Sequence, residues 1–199
     1  MTETIDTRQL ILDAAIKRIL HYGYAKTTMS EIARDCDMSA GNIYRFFASK
    51  IDIAEAMARK FHTDGFQAFA SFAREDGPAA ERFRRFFMYA LEQTFERVEN
   101  DAKILEVADV LKHERPTYYN EHLAQERIYL VKILNDGADS GEFRQVDNPE
   151  ETTEFMQSAL MKYRYPQLFS KLPLPKLKRE LEGVLSLLLA GLSASATEL

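Results

Sequence analysis

Two side chains near residue 42 have the chemistry needed to recognise the edges of nucleic-acid bases. Arg45 has the guanidinium that pairs with guanine through two hydrogen bonds, and Asn42 has the amide that makes an equivalent pair with adenine. Ser39, Gly41 and Tyr44 lie in the same short segment. The segment therefore predicts contact with double-stranded DNA, provided that the surrounding elements turn these side chains outward.

A short helix and a tight turn are predicted just before this segment. Thr28 and Glu31 have the spacing of a capping box, in which a hydroxyl and a carboxylate each satisfy a free N–H group at a helix start. The helix is expected to end near Asp37, and Ser39 is placed to cap the next one. The pattern predicts a helix, a turn and a second helix.

The second helix is expected over residues 40–47. Its apolar residues Ile43 and Phe47 form an inward face, which leaves the residues at its N-terminal end outward. A helix of this width fits the major groove, where its first residues meet base edges. Packing of Tyr44 and Phe46 against the first helix is the alternative.

The rest of the chain is predicted to be helical. An amphipathic helix is expected from Asp6 to Tyr22, and the whole chain has only 8 Gly and 6 Pro and no strand-like alternation. The predicted fold is all-α with about nine helices. A three-helix helix-turn-helix DNA-binding domain over residues 1–50 precedes a larger helical domain over 51–199, for effector binding and dimerisation.

Residues 27–50 closely resemble the helix-turn-helix signature of the tetracycline-repressor (TetR) family, and the match extends from Leu10 to about Ala58. The resemblance implies that Thr27, Thr28, Tyr44 and Lys50 contact phosphate. The residues that it implies for DNA binding are Thr27, Thr28, Ser39, Ala40, Gly41, Asn42, Tyr44, Arg45 and Lys50. Ala40 and Phe46 depart from the family, which commonly has Lys or Arg and His there, and each departure removes one expected contact.

The resemblance also implies a mostly apolar effector pocket among the central helices. The candidate lining residues are Phe87, Leu91, Val110, His113, Tyr118, His122 and Met156. A filled core is the alternative at most of these positions. His122 with Glu126 or His113 suggests a metal site, but no cluster has ligand spacing, so neither a metal nor a cofactor is expected.

The last two predicted helices, from Pro149 to Phe169 and from Pro175 to Leu192, have broad apolar faces that suggest a homodimer. Leucines recur at intervals of three and four residues towards the C-terminal end, and two such helices from each subunit would pair as a four-helix bundle. The predicted interface consists of Phe155, Met156, Ala159, Leu160, Tyr163, Leu177, Leu181, Leu185, Leu188 and Leu192.

Composition excludes several other classes of protein. The net charge is −5, but residues 1–50 have 7 Lys or Arg against 6 Asp or Glu, so the charge neither favours nor forbids DNA binding. The single cysteine, Cys36, fits a reducing cytoplasm, and no apolar run is long enough to span a membrane.

The chain has no nucleophile elbow, Gly-rich phosphate loop or compact His, Asp and Ser set, so no catalytic residue is expected. The overall prediction is a repressor that leaves a near-palindromic operator when an unidentified small molecule binds. A helical adaptor that binds protein and an activator of transcription are the alternatives.

Overall fold

The computed structural model describes residues 6–169 and 171–194, without the side chain of Asp64. Over these residues the chain is all-helical, as predicted, with nine α-helices and two short 3-10 helices at Met161–Tyr163 and Pro166–Leu168. The α-helices are α1 Thr7–Tyr22, α2 Met29–Asp35, α3 Ala40–Ile43, α4 Lys50–Arg74, α5 Ala79–Asn100, α6 Ile104–Glu114, α7 Tyr118–Asp139, α8 Pro149–Ala159 and α9 Leu174–Leu192. None of the helices in this described part is long and apolar enough to cross a membrane.

Side-chain caps fix the starts of four helices. The carboxylate of Asp6 accepts a hydrogen bond from the backbone at the start of α1, and the predicted capping box of Thr28 and Glu31 is present at α2. Ser39 caps α3 and Asn148 caps α8. Because each cap satisfies a backbone N–H that the helix leaves free, these four starts are set by local sequence.

Two helices end earlier than the sequence predicts. The α3 helix ends at Ile43 rather than at residue 47, and a tight turn follows in which the backbone of Phe46 donates to Ile43. The α8 helix ends at Ala159 rather than continuing to Phe169. Pro166 excludes a continuous helix there because it has no backbone N–H and forces the preceding residue into an extended conformation.

The chain forms two compact units rather than dividing at residue 50. The first unit contains the chain up to Thr63 and a returning segment, Arg97–Tyr118, which includes α6. Its core contains apolar side chains from the first four helices, the turn after α3 and α6: Ile11, Leu12, Ala15, Ile19, Ile32, Ala33, Ile43, Phe47, Ile53, Ala54, Met57, Val107 and Leu111.

The second unit contains Asp64–Glu96 and the chain from Tyr119 onward. Its core is rich in aromatic side chains, among which the rings of Phe69 and Phe86 stack at 3.9 Å between centroids. The α9 helix contributes a stripe of leucines that are buried in this same core. These leucines therefore stabilise the core of their own chain.

This burial corrects most of the predicted dimer interface. Met156, Leu160, Tyr163, Leu177, Leu181, Leu185 and Leu192 are buried within the single chain, so they have no surface left to offer a partner. Of the predicted set, Phe155 and Ala159 are exposed and Leu188 is half-buried. The prediction was wrong because both faces of α9 are apolar, and a period of leucines does not show which face the core covers.

Candidate nucleic-acid interface

A network of charged side chains ties α1 to α2. The guanidinium of Arg18 donates two hydrogen bonds to Asp35, at 2.5 and 2.9 Å, and its Nη1 lies 3.4 Å from a carboxylate oxygen of Glu31. Glu31 is also part of the capping box at Thr28, so one carboxylate serves both the start of α2 and its packing. These contacts fix the helix that precedes the turn.

The turn between α2 and α3 contains a backbone conformation that few residues adopt. Asp37 has a φ of 54°, in the left-handed region, where aspartate is tolerated better than most side chains. The chain reverses here and Ser39 then begins α3, its hydroxyl accepting from the backbone of Asn42. The geometry is that of a helix, a tight turn and a second helix.

The α3 segment has one buried and one exposed side, as the sequence predicts. Ile43 and Phe47 are completely buried or nearly so, whereas Tyr44 is 53% exposed and Arg45 is exposed. Ser39, Ala40 and Gly41 are exposed and Asn42 is half-buried. A Cβ atom at Gly41 would meet nothing within 4 Å, so the chain itself does not require glycine there.

Two of the residues predicted to hold phosphate serve the protein interior instead. Thr27 is fully buried and its hydroxyl donates to the carbonyl of Gly23. The ammonium of Lys50 donates to the carbonyls of Tyr24 and Thr27, at 2.9 and 2.8 Å, and burial lowers its pKa below the ordinary value. We correct the assignment of Thr27, whose side chain has no free surface. Lys50 is a residue that positions the segment between α1 and α2.

The hydroxyl of Thr28 is exposed but engaged with Glu31, to which it donates at 2.8 Å. Lys26, one position before the buried Thr27, is an exposed cation that the sequence interpretation missed. Its only signal in the sequence is its place beside Thr27 and Thr28.

The sequence also gives no sign that α6 belongs with the helix-turn-helix. Lys103, at the start of α6, donates to the last carbonyls of α1, at Leu20 (3.1 Å) and at His21. The carboxylate of Glu106 accepts from the backbone of Ala25 and lies against Gly23, where any Cβ would meet it at 2.9 Å. The turn after α1 is therefore held by charges from a residue pair about eighty positions away.

The C-terminal end of α6 is tied to α4 in a similar way. Arg115 donates to Asp52 at 2.6 Å and to Glu55 at 3.2 Å. Hydrogen bonding from Ser49 and from Arg115 lowers the pKa of Asp52 below its ordinary value. Both ends of α6 are thus fixed within the first unit.

The predicted effector residues are divided between the two units. Phe87, Leu91 and Met156 are in the core of the second unit, which also contains His122. Val110, His113 and Tyr118 belong to the first unit. In the first unit the Tyr118 hydroxyl lies 3.0 Å from Nδ1 of His62, and His113 is exposed. Among the described residues no three His, Cys, Asp or Glu side chains are grouped so that they would hold a metal ion.

A capped helix-turn-helix with an outward second helix, joined to an all-helical second unit, defines a DNA-binding transcriptional regulator. Residues 11–57 match the model of bacterial regulatory proteins of the tetR family, and residues 79–185 match that of the tetracyclin repressor-like C-terminal domain. The chain belongs to the TetR family. The predicted class, a DNA-binding transcriptional regulator, is confirmed by this membership.

Individual relatives are distant. The chain is 26% identical over 139 residues to the HTH-type transcriptional repressor KstR2 of Mycobacterium tuberculosis. The aligned region covers 67% of this chain and 68% of that repressor. The fatty acid degradation regulator FadR of Bacillus halodurans has a similar fold, with a TM-score of 0.67, 21% identity and coverage of 96% and 98% of the two chains. FadR of Bacillus subtilis, solved in complex with stearoyl-CoA, gives a TM-score of 0.62 at 22% identity, with coverage of 92% and 98%.

Proposed function

We propose that this chain is a cytoplasmic repressor without catalytic activity, which reads a near-palindromic operator as a homodimer and leaves it when an apolar small molecule binds. The observation that carries the proposal is the orientation of α3. Ile43 and Phe47 are fixed in the core, so Tyr44 and Arg45 are held outward on a rigid support. Exposed polar side chains on a rigidly held segment are what base recognition requires, and Tyr44 and Arg45 directly follow α3 in the turn that Phe47 anchors.

The contacts follow from the type and exposure of each side chain. Arg45 donates hydrogen bonds to guanine, and Asn42 forms a pair of hydrogen bonds with adenine. Tyr44 and Ser39 form hydrogen bonds with phosphate. Lys26 supplies the phosphate-binding cation that Lys50 does not offer, because the Lys50 ammonium is engaged with backbone carbonyls. Ala40 and Gly41 allow close approach to the DNA without adding a polar contact.

The dimer forms through the face of α9 that its own core leaves uncovered. Leu187 is 76% exposed, and Gly183 and Gly191 lie one turn before and after it with open space at their Cβ positions. Phe155 on α8 is 63% exposed. Large apolar side chains flanked by small residues favour close helix packing, and a twofold axis would bring the same face of a second copy against it.

The effector binds among the apolar side chains of the second unit. An acyl-CoA is a suitable first candidate, since the FadR structure of Bacillus subtilis, which has a similar fold, is a complex with stearoyl-CoA. Binding releases the operator if the effector prefers a dimer in which the two α3 segments are not about 34–36 Å apart, the length of one turn of DNA.

Selection of duplexes from a randomised pool, followed by fluorescence anisotropy, tests DNA reading. We expect one near-palindromic sequence to be enriched, and Arg45→Ala to weaken its binding about tenfold to a hundredfold. Arg74→Ala, which removes an equally exposed arginine at the end of α4, is the matched control and should leave the affinity within about twofold. If no duplex is enriched at low salt, the chain is not an operator-binding repressor, and the adaptor that binds protein becomes the better hypothesis.

Sedimentation of Leu187→Asp tests the dimer interface. A charge at the centre of a closely packed apolar contact should convert the dimer to a monomer at micromolar concentration, because the buried carboxylate would have no partner. Ile128→Asp is the control, since Ile128 on α7 is also exposed, at 68%. A Leu187→Asp protein that sediments as the wild type would move the interface to another face.

A further inference from the structure

The second unit buries a cluster of three ionisable side chains. Glu126 on α7 is 1% exposed, and its Oε1 lies 3.0 Å from Nε2 of His122, one helical turn earlier. The same oxygen accepts from Nη2 of Arg164, which follows the 3-10 helix at Met161–Tyr163. The cluster therefore joins α7 to the irregular segment between α8 and α9.

Arg164 is only partly satisfied by this contact. Its Nε and Nη1 atoms are buried, and no atom in the described part of the chain accepts a hydrogen bond from either. Together these two nitrogens carry three N–H bonds. Buried donors are almost always paired, because an unpaired one loses its bonds to water without compensation. The two nitrogens of Arg164 need an acceptor from outside the described chain.

A second buried arginine shows that this deficit is unusual here. Arg82 is 6% exposed, and its Nη1 donates to Asp136 at 2.9 Å and to the carbonyl of Ala73. Among the described residues Nε is its only buried nitrogen without an acceptor, whereas Arg164 has two such buried nitrogens. Both arginines pair with a carboxylate on α7, although the Asp136 side chain is 34% exposed whereas that of Glu126 is 2% exposed.

Aromatic rings lie beside the cluster. The ring of Phe66 lies 5.2 Å from that of His122 and 6.3 Å from that of Tyr129, between centroids, and Cζ of Arg164 lies 5.9 Å from the centroid of Phe69. Phe66 and Tyr129 are only partly buried. An apolar wall with a few convergent polar groups is the usual composition of a small-molecule site.

Glu126 balances the charge of Arg164 but accepts a hydrogen bond from only one of its three nitrogens. Burial would raise the pKa of the Glu126 carboxyl, but Arg164 and His122 lower it below its ordinary value, so the carboxylate is ionised. It occupies only Nη2 of the guanidinium. The remaining N–H groups suit an acceptor oxygen on a molecule that is otherwise apolar.

We propose that Nε and Nη1 of Arg164 bind the carbonyl oxygen of an acyl group carried by an apolar ligand. A free fatty acid and an acyl thioester are two sources of the same acceptor. The inference rests on the proposed function, because it gives the chemical class of the effector and the residue that recognises it. Glu126 and His122 are positioning residues that hold the guanidinium against the aromatic wall.

Calorimetric titration of the full chain tests the proposal with three kinds of probe. Each kind is used with a ten-carbon and with an eighteen-carbon chain, so that probes of equal chain length are compared. The probes are the fatty acid, its CoA thioester and the alkyltrimethylammonium ion, which has no acceptor oxygen. We expect the wild-type protein to bind the acid or the thioester at least tenfold more tightly than the ammonium compound. The net charge of −5 would by itself favour the cation, so this order would identify a specific acceptor site.

The double variant Glu126→Leu with Arg164→Leu removes the cluster without leaving an unpaired buried charge, so it is expected to fold. It should lose about tenfold to a hundredfold in affinity for the acyl probe, the usual range for a hydrogen bond to a charged group. The matched control, Arg82→Leu with Asp136→Leu, removes the second arginine–carboxylate pair that involves α7 and should change acyl affinity less than threefold. Circular dichroism and binding of the selected duplex check that both double variants are folded.

Two results would overturn the inference: acyl binding that survives in the Glu126 and Arg164 double variant, or a wild-type chain that binds none of the acyl probes. In either case water satisfies the guanidinium and the cluster is structural. The proposed function is tested independently of the ligand, because it requires only that the ligand-free protein enrich a duplex from the randomised pool. If the chain binds no acyl probe but still binds a selected duplex, the proposal of a repressor stands and only the proposed class of ligand is wrong.

Discussion

The two units of this chain each contain an arginine–carboxylate pair that joins separate elements, and the two pairs differ in how much water reaches the carboxylate. In the first unit these contacts stay partly exposed: Arg18 joins α1 to Asp35 of α2, whose side chain is 33% exposed, and the half-buried Lys103 joins α6 to the end of α1. In the second unit, Glu126 and Arg164 are almost completely removed from solvent. Water and salt weaken the first kind of contact and have little access to the second.

This difference separates two structural tasks. The first unit must present one exposed surface at α3 in a fixed orientation, and several modest contacts achieve this without any one being essential. In the second unit the pair of Glu126 and Arg164 is buried, and the loss of one partner is costly there because nothing else solvates the charge that remains. We therefore expect mutations of equal chemistry to have unequal effects in the two units.

The largest effect should come from Glu126→Leu. The substitution leaves the guanidinium of Arg164 buried without its carboxylate, and the free energy of unfolding should fall by about 3–5 kcal/mol. Urea unfolding at one fixed chain concentration measures it, because the stability of a dimer depends on concentration.

Adding Arg164→Leu to Glu126→Leu provides the control. Because a buried ion pair and well-packed apolar residues of similar volume are often equally stable, the double variant should recover most of the loss. Acid unfolding gives a second check: the pKa of Glu126 is lowered in the folded state, so its contribution is present above the unfolded pKa and is lost as pH falls from about 4.3 through the folded value. If the single variant were as stable as the wild type, the cluster would not be buried as described.

Local sequence signals predicted the helix-turn-helix well. The capping box at Thr28 and the hydroxyl of Ser39 each act within three or four residues, so their effect can be worked out from spacing alone. The inward positions of Ile43 and Phe47 followed from helical periodicity. The end of α3 was less predictable because no proline or capping glycine marks it.

Features that depend on distant parts of the chain were missed. Nothing near Lys103 in the sequence indicates that it contacts the end of α1, and Glu126 and Arg164 are separated by 38 positions. Leu187 and Leu185 are equally apolar, yet one is exposed and the other is in the core. Which face of an apolar helix is covered is decided by the elements packed against it, and the sequence of the helix does not contain that information.

Lys103→Met should have an intermediate effect within the first unit. The ammonium of Lys103 satisfies two carbonyls that the end of α1 leaves free, and a cation there also interacts favourably with the helix dipole. Because the contact is half-exposed, we expect a loss of about 1 kcal/mol in the free energy of unfolding. Lys112→Met, at an exposed position of α6, should change stability by less than about 0.5 kcal/mol. Equal effects of the two substitutions would show that α6 does not hold α1 through Lys103.

The smallest effect should come from the pair of Arg18 and Asp35, even though its geometry is good, with hydrogen bonds of 2.5 and 2.9 Å. A double-mutant cycle with Arg18→Met and Asp35→Asn should give a coupling energy of about 0.2–1 kcal/mol at low salt. In about 1 M salt the Debye length is near 3 Å, so the coupling should decrease markedly. The corresponding cycle for Glu126 and Arg164 should change little over the same range of salt, because ions do not reach a buried pair. A coupling at Arg18 that is as large and as insensitive to salt as the one at Glu126 would remove the distinction between the two units.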